Sequence, residues 1–126
     1  MRNLFFVLAC SMMLFASCHE SIEDRAEREA RDYTRLMCPT PVQNDTRVDS
    51  MVFDRNTRTF VYYATISGEM DNKKVFDANK EQMDQDMRAA INNDTGIKTY
   101  RDAGIKVRYI CRSQSNPKQI LFEGIY

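Results

Sequence analysis

Cysteine and histidine are the residue types in this sequence that could supply a nucleophile, a general base or soft metal ligands. The histidine is His19, and the cysteines are Cys10, Cys18, Cys38 and Cys111. Histidine catalysis requires an imidazole held in a fixed position beside its partner groups. His19 directly follows Cys18 in a polar stretch, so we expect no histidine-based catalytic site. Two cysteines in the body of the chain are too few for a typical zinc site, and we expect no metal and no cofactor.

The residues before Cys18 are arranged as an export signal. A positively charged Arg2 is followed by an almost wholly apolar stretch, residues 4–16. That stretch of about 13 residues is too short to span a bilayer comfortably but suits the hydrophobic region of a signal peptide. The motif Phe15-Ala16-Ser17-Cys18 resembles the bacterial lipobox. The resemblance implies that signal peptidase II removes residues 1–17 and that Cys18 carries diacylglycerol. The alternative is an ordinary secretory signal that is cut elsewhere.

Lipid on Cys18 would make the membrane the first partner of this chain. Each buried CH₂ group contributes about 0.8 kcal/mol, and one acyl chain such as palmitate anchors a protein only marginally. Several acyl chains on one cysteine should therefore give lasting attachment to the bacterial envelope. The acidic residues Glu20, Glu23 and Asp24 resemble the export signal of surface lipoproteins in Bacteroides-like bacteria. This resemblance favours the outer membrane.

Cys38 and Cys111 remain as an even pair if the chain is cut before Cys18 and exported to a compartment that permits disulfides. Cys111 has the same strand parity as Val107 and Tyr109, so its side chain should face the core. Cys38 ends a predicted helix that should cover the same face. A bridge would close a loop of about 70 residues and contribute roughly 4 kcal/mol. The alternative is two unpaired thiols packed as small apolar groups.

Carboxylates are numerous, but their spacing is not that of a known acidic site. Asp71, Asp77 and Glu81 lack the alternating ligands and the glycine of a calcium-binding loop. Asp84 and Asp86 are two residues apart on a predicted helix and therefore point to different sides. We interpret this stretch as a solvated helix face. An envelope hydrolase with a carboxylate-only active site is the alternative to a non-catalytic protein.

The spacing of apolar residues predicts the elements that must position these groups. Residues 19–36 carry an apolar stripe at helical spacing and end before a proline, which predicts an amphipathic helix. The helix also has two acid-first pairs four residues apart, Asp24 with Arg28 and Glu27 with Arg31. The stripe consists of Ile22, Ala26, Ala30, Tyr33 and Met37.

Four later segments are rich in β-branched and aromatic residues and predict strands. Residues 76–91 carry an apolar face at helical spacing, with Asp77 or Asn79 as the expected N-cap. A short helix over residues 95–103 should end at Gly104 in the left-handed conformation. The strands are predicted over residues 49–53, 59–67, 105–112 and 119–126.

This order of elements predicts an α+β domain. An N-terminal helix is followed by β-β-α-β-β, and short connections make each strand pair a hairpin. We expect one antiparallel four-stranded sheet with the helices packed on one face. The expected division of the chain is a signal peptide in residues 1–17, a lipidated N-terminus and helix in 18–37, and the α+β domain in 38–126.

The sheet face opposite the helices is the expected binding surface. Mixed aromatic, aliphatic and basic side chains that no helix covers suit a protein partner. The alternative is a solvated face on which arginine and lysine stems cover apolar neighbours. Strand alternation puts the candidate binding residues there, namely Tyr63, Lys106, Arg108, Ile110 and Arg112, together with Val61, Thr65, Leu121, Glu123 and Ile125.

The charge balance argues against one class of partner. The chain has 18 Lys and Arg residues against 18 Asp and Glu residues, and its formal net charge is +0. Nucleic-acid affinity comes mainly from basic groups on phosphates. We therefore expect no nucleic-acid partner.

Four segments contain moderately specific structural motifs: a turn, aromatic strands and a glycine before a strand. They are Cys38-Pro39 and residues 45–50, 60–63 and 100–109. Together they resemble small lipoproteins and exported proteins of unknown function from Bacteroides-like bacteria, over most of residues 1–110. The resemblance implies export and the order of elements, and no activity. We therefore expect a non-enzymatic lipoprotein that binds a protein in the envelope, as an assembly accessory, an inhibitor or an immunity-type protein.

Overall fold

The structure is a computed structural model that describes residues 19–126. The expected signal peptide, residues 1–17, and the lipidation residue Cys18 lie outside the described residues. In the described part, helices and strands follow one another in the predicted order, and a 3₁₀ turn, Gly68–Met70, precedes the second helix. The elements are α1 (Ile22–Met37), β1 (Thr46–Asp54), β2 (Thr59–Ile66), α2 (Lys73–Asn93), α3 (Lys98–Asp102), β3 (Lys106–Ser113) and β4 (Ile120–Ile125).

The strands form one mixed sheet in the order β1-β2-β3-β4. The two outer pairs are antiparallel, as predicted. The central strands β2 and β3 run parallel, with Thr59 beside Lys106 and Ile66 beside Ser113. The predicted α+β class is confirmed, whereas the prediction of a wholly antiparallel sheet is wrong.

The length of α2 explains the parallel pairing at the centre of the sheet. Its 21 residues span about 31 Å, more than the roughly 26 Å of the 8-residue strand β2. The chain therefore returns to the end of the sheet at which β2 began. A crossover that contains a helix joins parallel strands, whereas a tight hairpin turn joins antiparallel ones. The predicted left-handed stop at Gly104 is confirmed by its φ of +81°, just before β3.

Helix α1 covers the β1–β2 half of the sheet with small residues. The Ser21 hydroxyl oxygen caps its start by accepting a hydrogen bond of 3.1 Å from the Asp24 N–H. Ala26 and Ala30 are buried in a core cluster with Met51 and other residues of the sheet. Because each alanine projects only a methyl group, the helix axis can approach the sheet closely.

The acidic residues at the start of α1 pair with the turn between β1 and β2. Nη1 of Arg55 lies 2.8 Å from an Asp24 oxygen and 2.7 Å from a Glu27 oxygen. Arg58 lies 3.0 Å from Glu23. Asp24 and Glu27 therefore pair with Arg55 and not with the arginines one turn along α1, which were their predicted partners. These contacts place the β1–β2 turn beside the start of α1.

Helix α2 begins earlier than predicted. Asn72 is its N-cap, and its side-chain oxygen accepts hydrogen bonds from two backbone N–H groups of the first turn. The predicted caps Asp77 and Asn79 therefore lie inside the helix. Phe76 and Ile91 are its buried residues, near its two ends. Among residues 19–126, none of the helices is both long and apolar enough to span a membrane.

The core lies between the sheet and the helices and consists of two clusters. The cluster under α1 includes Phe60 and Tyr100, whose rings meet edge to face with centroids 5.1 Å apart. The cluster under α2 includes Phe122. Tyr62 packs against the first cluster and Tyr109 against the second, and their rings stack with centroids 4.7 Å apart. The stacked pair joins the two clusters into one core.

Candidate functional site

The face of the sheet away from the helices, the open face, is not covered by any element in residues 19–126. The strand register aligns two rows of side chains at its centre. One row is Val52, Val61, Arg108 and Ile125. The other is Ser50, Tyr63, Ile110 and Glu123. Lys106 lies beside Thr59, and Arg112 beside Thr65, so the structure brings all five predicted face residues together.

Arg108 lies near the centre of the open face and is paired with Glu123 of the neighbouring strand. Its Nε donates to Glu123 Oε1 at 2.8 Å, and its Nη2 contacts the same oxygen. Both side chains are more than one third exposed, at 39% and 38%. Such a pair stabilises a fold by about 1 kcal/mol or less. The pair favours an orientation in which the planar guanidinium lies over the sheet with part of its surface exposed, where an aromatic ring could stack on it.

The apolar residues of the open face differ in exposure. Val61 and Ile110 at the centre are 5% and 7% exposed, because neighbouring side chains cover them. Val52 and Ile125, on the outer strands, are 44% and 56% exposed. Tyr63 is half-buried. The apolar surface that a partner could reach therefore lies toward the two margins of the face.

The prediction that Leu121 lies on the open face is wrong. Cys111 pairs with Phe122 and the next residue, Arg112, pairs with Ile120, so β4 has an extra residue at this point. A β-bulge of this kind interrupts the regular alternation of side chains. Leu121 is 3% exposed and packs in the cluster under α2.

The open face also carries a polar network that was not predicted from the sequence. Asp49 Oδ1 accepts from Arg47 Nε at 2.7 Å, and Asp49 Oδ2 accepts from the Thr65 hydroxyl at 2.5 Å. Strand β1 begins at Thr46, three residues before the predicted start at residue 49, so Arg47 lies inside the sheet and outside the predicted strand. The opposite charges two residues apart were the signal that could have placed Arg47 and Asp49 on one face.

Cys38 and Cys111 are free thiols in the structure. Cys111 lies on the inner strand β3, and burial raises the pKa of its thiol to about 11. The chain beside Cys38 runs along the outer edge of β1, where the Thr40 N–H donates to the Val48 carbonyl at 3.0 Å. That edge lies two strand spacings, roughly 10 Å, from β3, whereas a disulfide needs Cα atoms within about 7 Å. This geometry favours the unpaired arrangement of the two thiols.

The described carboxyl groups whose pKa values depart from the ordinary range are shifted downward. A hydrogen bond from Arg55 lowers the pKa of Asp24, and the Ser113 hydroxyl lowers the pKa of Asp71. A carboxyl group that acts as a general acid near neutral pH needs a raised pKa. No group of three or more His, Cys, Asp or Glu in residues 19–126 is placed to hold a metal ion.

Two grooves lie beside the outer strands. One, of about 450 Å³, runs between α1 and β1, and Glu27 is the one carboxylate among its lining residues. The other, of about 410 Å³, runs between α2 and β4 and is lined by several carboxylates. Of these, Asp77, Asp84 and Glu123 each pair with a lysine or an arginine. The groove between α2 and β4 is therefore the more polar of the two, and three of its carboxylates are engaged in ion pairs.

Comparison with known families relates this arrangement to other proteins. A family of domains of unknown function, DUF8479, matches residues 21–122. The chain belongs to the DUF8479 family. No curated protein matches the sequence of this DUF8479 protein.

A solved structure shares the fold of this DUF8479 domain. It is the crystal structure of a protein from Pseudomonas aeruginosa that is inferred to be secreted. The two structures superpose with a TM-score of 0.65 over 86% of this chain and 95% of the other, at 10% sequence identity. At that identity the likeness shows a common fold and nothing about activity.

Proposed function

We propose that this DUF8479 protein is a lipid-anchored protein of the bacterial envelope that binds another protein and catalyses no reaction. The open face carries the proposal. It presents Tyr63 and the ion-paired Arg108 near its centre and exposed aliphatic side chains at its margins. Aromatic residues and arginine contribute most of the binding energy at protein interfaces. An assembly accessory, an inhibitor and an immunity-type protein are the roles that such a surface would serve.

The residues at the start of the chain support the proposed location. The residues before Cys18 resemble a lipoprotein signal, and the solved protein with the same fold is inferred to be secreted. Helix α1 begins at Ile22, four residues after Cys18. Lipid on Cys18 would therefore hold the domain close to the membrane, and the acidic residues that follow favour the outer membrane.

The proposal predicts that open-face variants lose a specific partner. The intact lipoprotein is used to pull down proteins from envelope extract, and Tyr63→Ala and Arg108→Ala are compared with the wild type. Recovery of the specific partner should fall by about tenfold for each, because truncating a central interface residue costs more than about 1.4 kcal/mol. Alanine is preferred to glutamate at position 108 because Glu123 lies beside it.

Two control variants separate loss of binding from loss of folding. Tyr63→Phe keeps the ring, and Lys74→Ala removes an exposed positive charge on α2. Both should recover the partner at the wild-type level, and urea unfolding should show that all four variants are folded. If Tyr63→Ala and Arg108→Ala also recover every protein at the wild-type level, the open face is a solvated surface and the proposal fails.

A further inference from the structure

The two outer strands of the sheet differ in how their free edges are covered. On β1, the Met51 N–H donates to Thr34 Oγ1 at 2.9 Å, and the Thr34 hydroxyl donates to the Met51 carbonyl at 2.7 Å. The Val48 N–H donates to Thr40 Oγ1 at 2.9 Å, and the Thr40 N–H donates to the Val48 carbonyl at 3.0 Å. Helix α1 and the segment after it therefore occupy much of the β1 edge, which would otherwise be open to another strand.

The edge of β4 has no such cover. Val107 and Tyr126 exchange two backbone hydrogen bonds, of 2.9 and 2.8 Å. In an antiparallel pair the bonded residues alternate, so the N–H and carbonyl groups of Glu123 and Ile125 point away from β3. In the described part of the chain these four groups have no hydrogen-bond partner.

The groove of about 410 Å³ meets this uncovered edge at Phe122 and Glu123. Its carboxylates outnumber its single lysine. Glu81 has no salt-bridge partner among residues 19–126, and the three paired carboxylates keep 47%, 43% and 38% of their side-chain surface exposed. The groove lining itself is therefore acidic, with four carboxylates against one lysine, and the cations that pair with three of these carboxylates lie outside the lining. Phe122 and Glu123 line it from the sheet, and Asp77, Lys80, Glu81 and Asp84 line it from α2.

We propose that the edge of β4 binds an extended segment of a partner protein as a fifth strand, with basic side chains directed at the carboxylates of α2. The inference rests on the proposed protein-binding function and adds a second contact surface, together with the chemistry of the segment that this surface binds. Backbone bonds to Glu123 and Ile125 supply affinity, and alternate side chains of the added strand supply specificity. Lysine or arginine at those alternate positions would meet Asp77, Glu81 and Asp84.

Charge argues against a second copy of this chain as the occupant. Two β4 strands paired about a two-fold axis at residue 123 would place Glu123 opposite Glu123 of the other copy. Like charges directly opposite one another destabilise a strand pair. The acidic groove of each copy would also lie along the same extended sheet. In this register, the charges that attract a basic strand oppose self-pairing.

The test uses the full lipoprotein in detergent and a fluorescent synthetic peptide in which lysine alternates with valine. One control peptide has the same composition with the lysines grouped at one end, and another has glutamate in place of lysine. The alternating basic peptide should bind about tenfold more tightly than either control, because only it can pair as a strand and meet the groove. In the complex, hydrogen exchange at the N–H groups of Glu123 and Ile125 should slow.

Variants locate the binding at the edge. Ile125→Pro removes an N–H that points away from β3 and should weaken peptide binding about tenfold, whereas Ile125→Val should stay within about twofold. Glu81→Lys reverses the unpaired charge in the groove and should weaken binding about fivefold. Asp86→Lys makes the same change on α2 outside the lining residues of the groove and should leave binding unchanged.

Three outcomes would overturn the inference. The first is that the wild type and a folded Ile125→Pro variant bind the alternating basic peptide equally well. The second is that hydrogen exchange at the N–H groups of Glu123 and Ile125 does not change when the peptide binds. The third is that the wild type is a dimer in analytical ultracentrifugation and that Ile125→Pro dissociates this dimer. If Ile125→Pro is not folded, the peptide affinity of Glu81→Lys and the hydrogen-exchange measurement decide whether the peptide binds at the β4 edge. Tyr63→Ala and Arg108→Ala test the open face separately, so loss of peptide binding at the edge and loss of the partner at the face are distinguishable.

Discussion

At the residue scale, the two cysteines of the described chain have the same chemistry but different surroundings. Cys111 is buried beside Ala64 and Phe122, with a pKa of about 11. Cys38 is half-buried at the end of α1, and burial followed by the nearby charge of Asp49 raises its pKa. Because the thiolate is the reactive form, a raised pKa slows alkylation, and burial slows it further.

In the native protein at about pH 8, iodoacetamide should modify Cys38 roughly tenfold faster than Cys111. In urea the two rates should become similar. Mass spectrometry of tryptic peptides over time measures both, and Cys38→Ser provides a control in which only Cys111 is available in the mature domain. Recovery of a linked Cys38–Cys111 peptide without reductant would instead establish the disulfide and contradict the unpaired arrangement.

At the element scale, α1 holds the sheet with a hydroxyl group as well as with its apolar face. Thr34 is half-buried and bonds both outward groups of Met51. An unbonded N–H or carbonyl that stays partly buried costs free energy, since it loses water without gaining a partner. One side chain of α1 therefore both stabilises β1 and blocks its edge.

Thr34→Val should lower the free energy of unfolding by about 1–3 kcal/mol, because valine keeps the shape of threonine but bonds neither backbone group of Met51. Urea denaturation measures the change. Thr34→Ser keeps the hydroxyl and should lose less stability than Thr34→Val. A Thr34→Val protein as stable as the wild type would show that water satisfies the β1 edge equally well.

At the scale of the whole molecule, the proposed anchor determines which end of the domain meets the membrane. The ion pairs of Arg55 and Arg58 place the β1–β2 turn beside the start of α1. Lipid on Cys18 would therefore direct this turn toward the bilayer. The open face and the β4 edge run along the sides of the sheet, so both would stay accessible to a partner in the envelope.

Cys18→Ala should leave the protein without lipid and release it from the membrane fraction, because the acyl chains supply the membrane affinity. Fractionation followed by mass spectrometry of the N-terminal peptide measures both effects. Cys10→Ala is the control, since residue 10 lies in the expected signal peptide and its loss should leave fractionation unchanged. An unmodified residue 18 in the mature wild-type protein would remove the basis for the anchor.

What the sequence by itself determined is the type of each element and the face on which its side chains lie. Both follow from periodicities of a few residues, 3.6 for a helix and 2 for a strand. Tyr63 and Arg108 share a face because alternation places them there whether their strands run parallel or antiparallel. For this reason the five candidate binding residues were placed on one face correctly, whereas the direction of β3 and the side of Leu121 were predicted wrongly.

Only the tertiary structure decided how the elements meet. The direction of β3 depends on the end of the sheet to which α2 returns the chain. The position of Leu121 depends on a β-bulge in β4 opposite β3. The ion-pair partner of Asp24 is Arg55, which lies 31 residues along the chain. None of these contacts is local in the sequence. The uncovered edge of β4 belongs to the same class, because a strand is an edge only when no other part of the chain pairs with it, and that is settled by long-range packing.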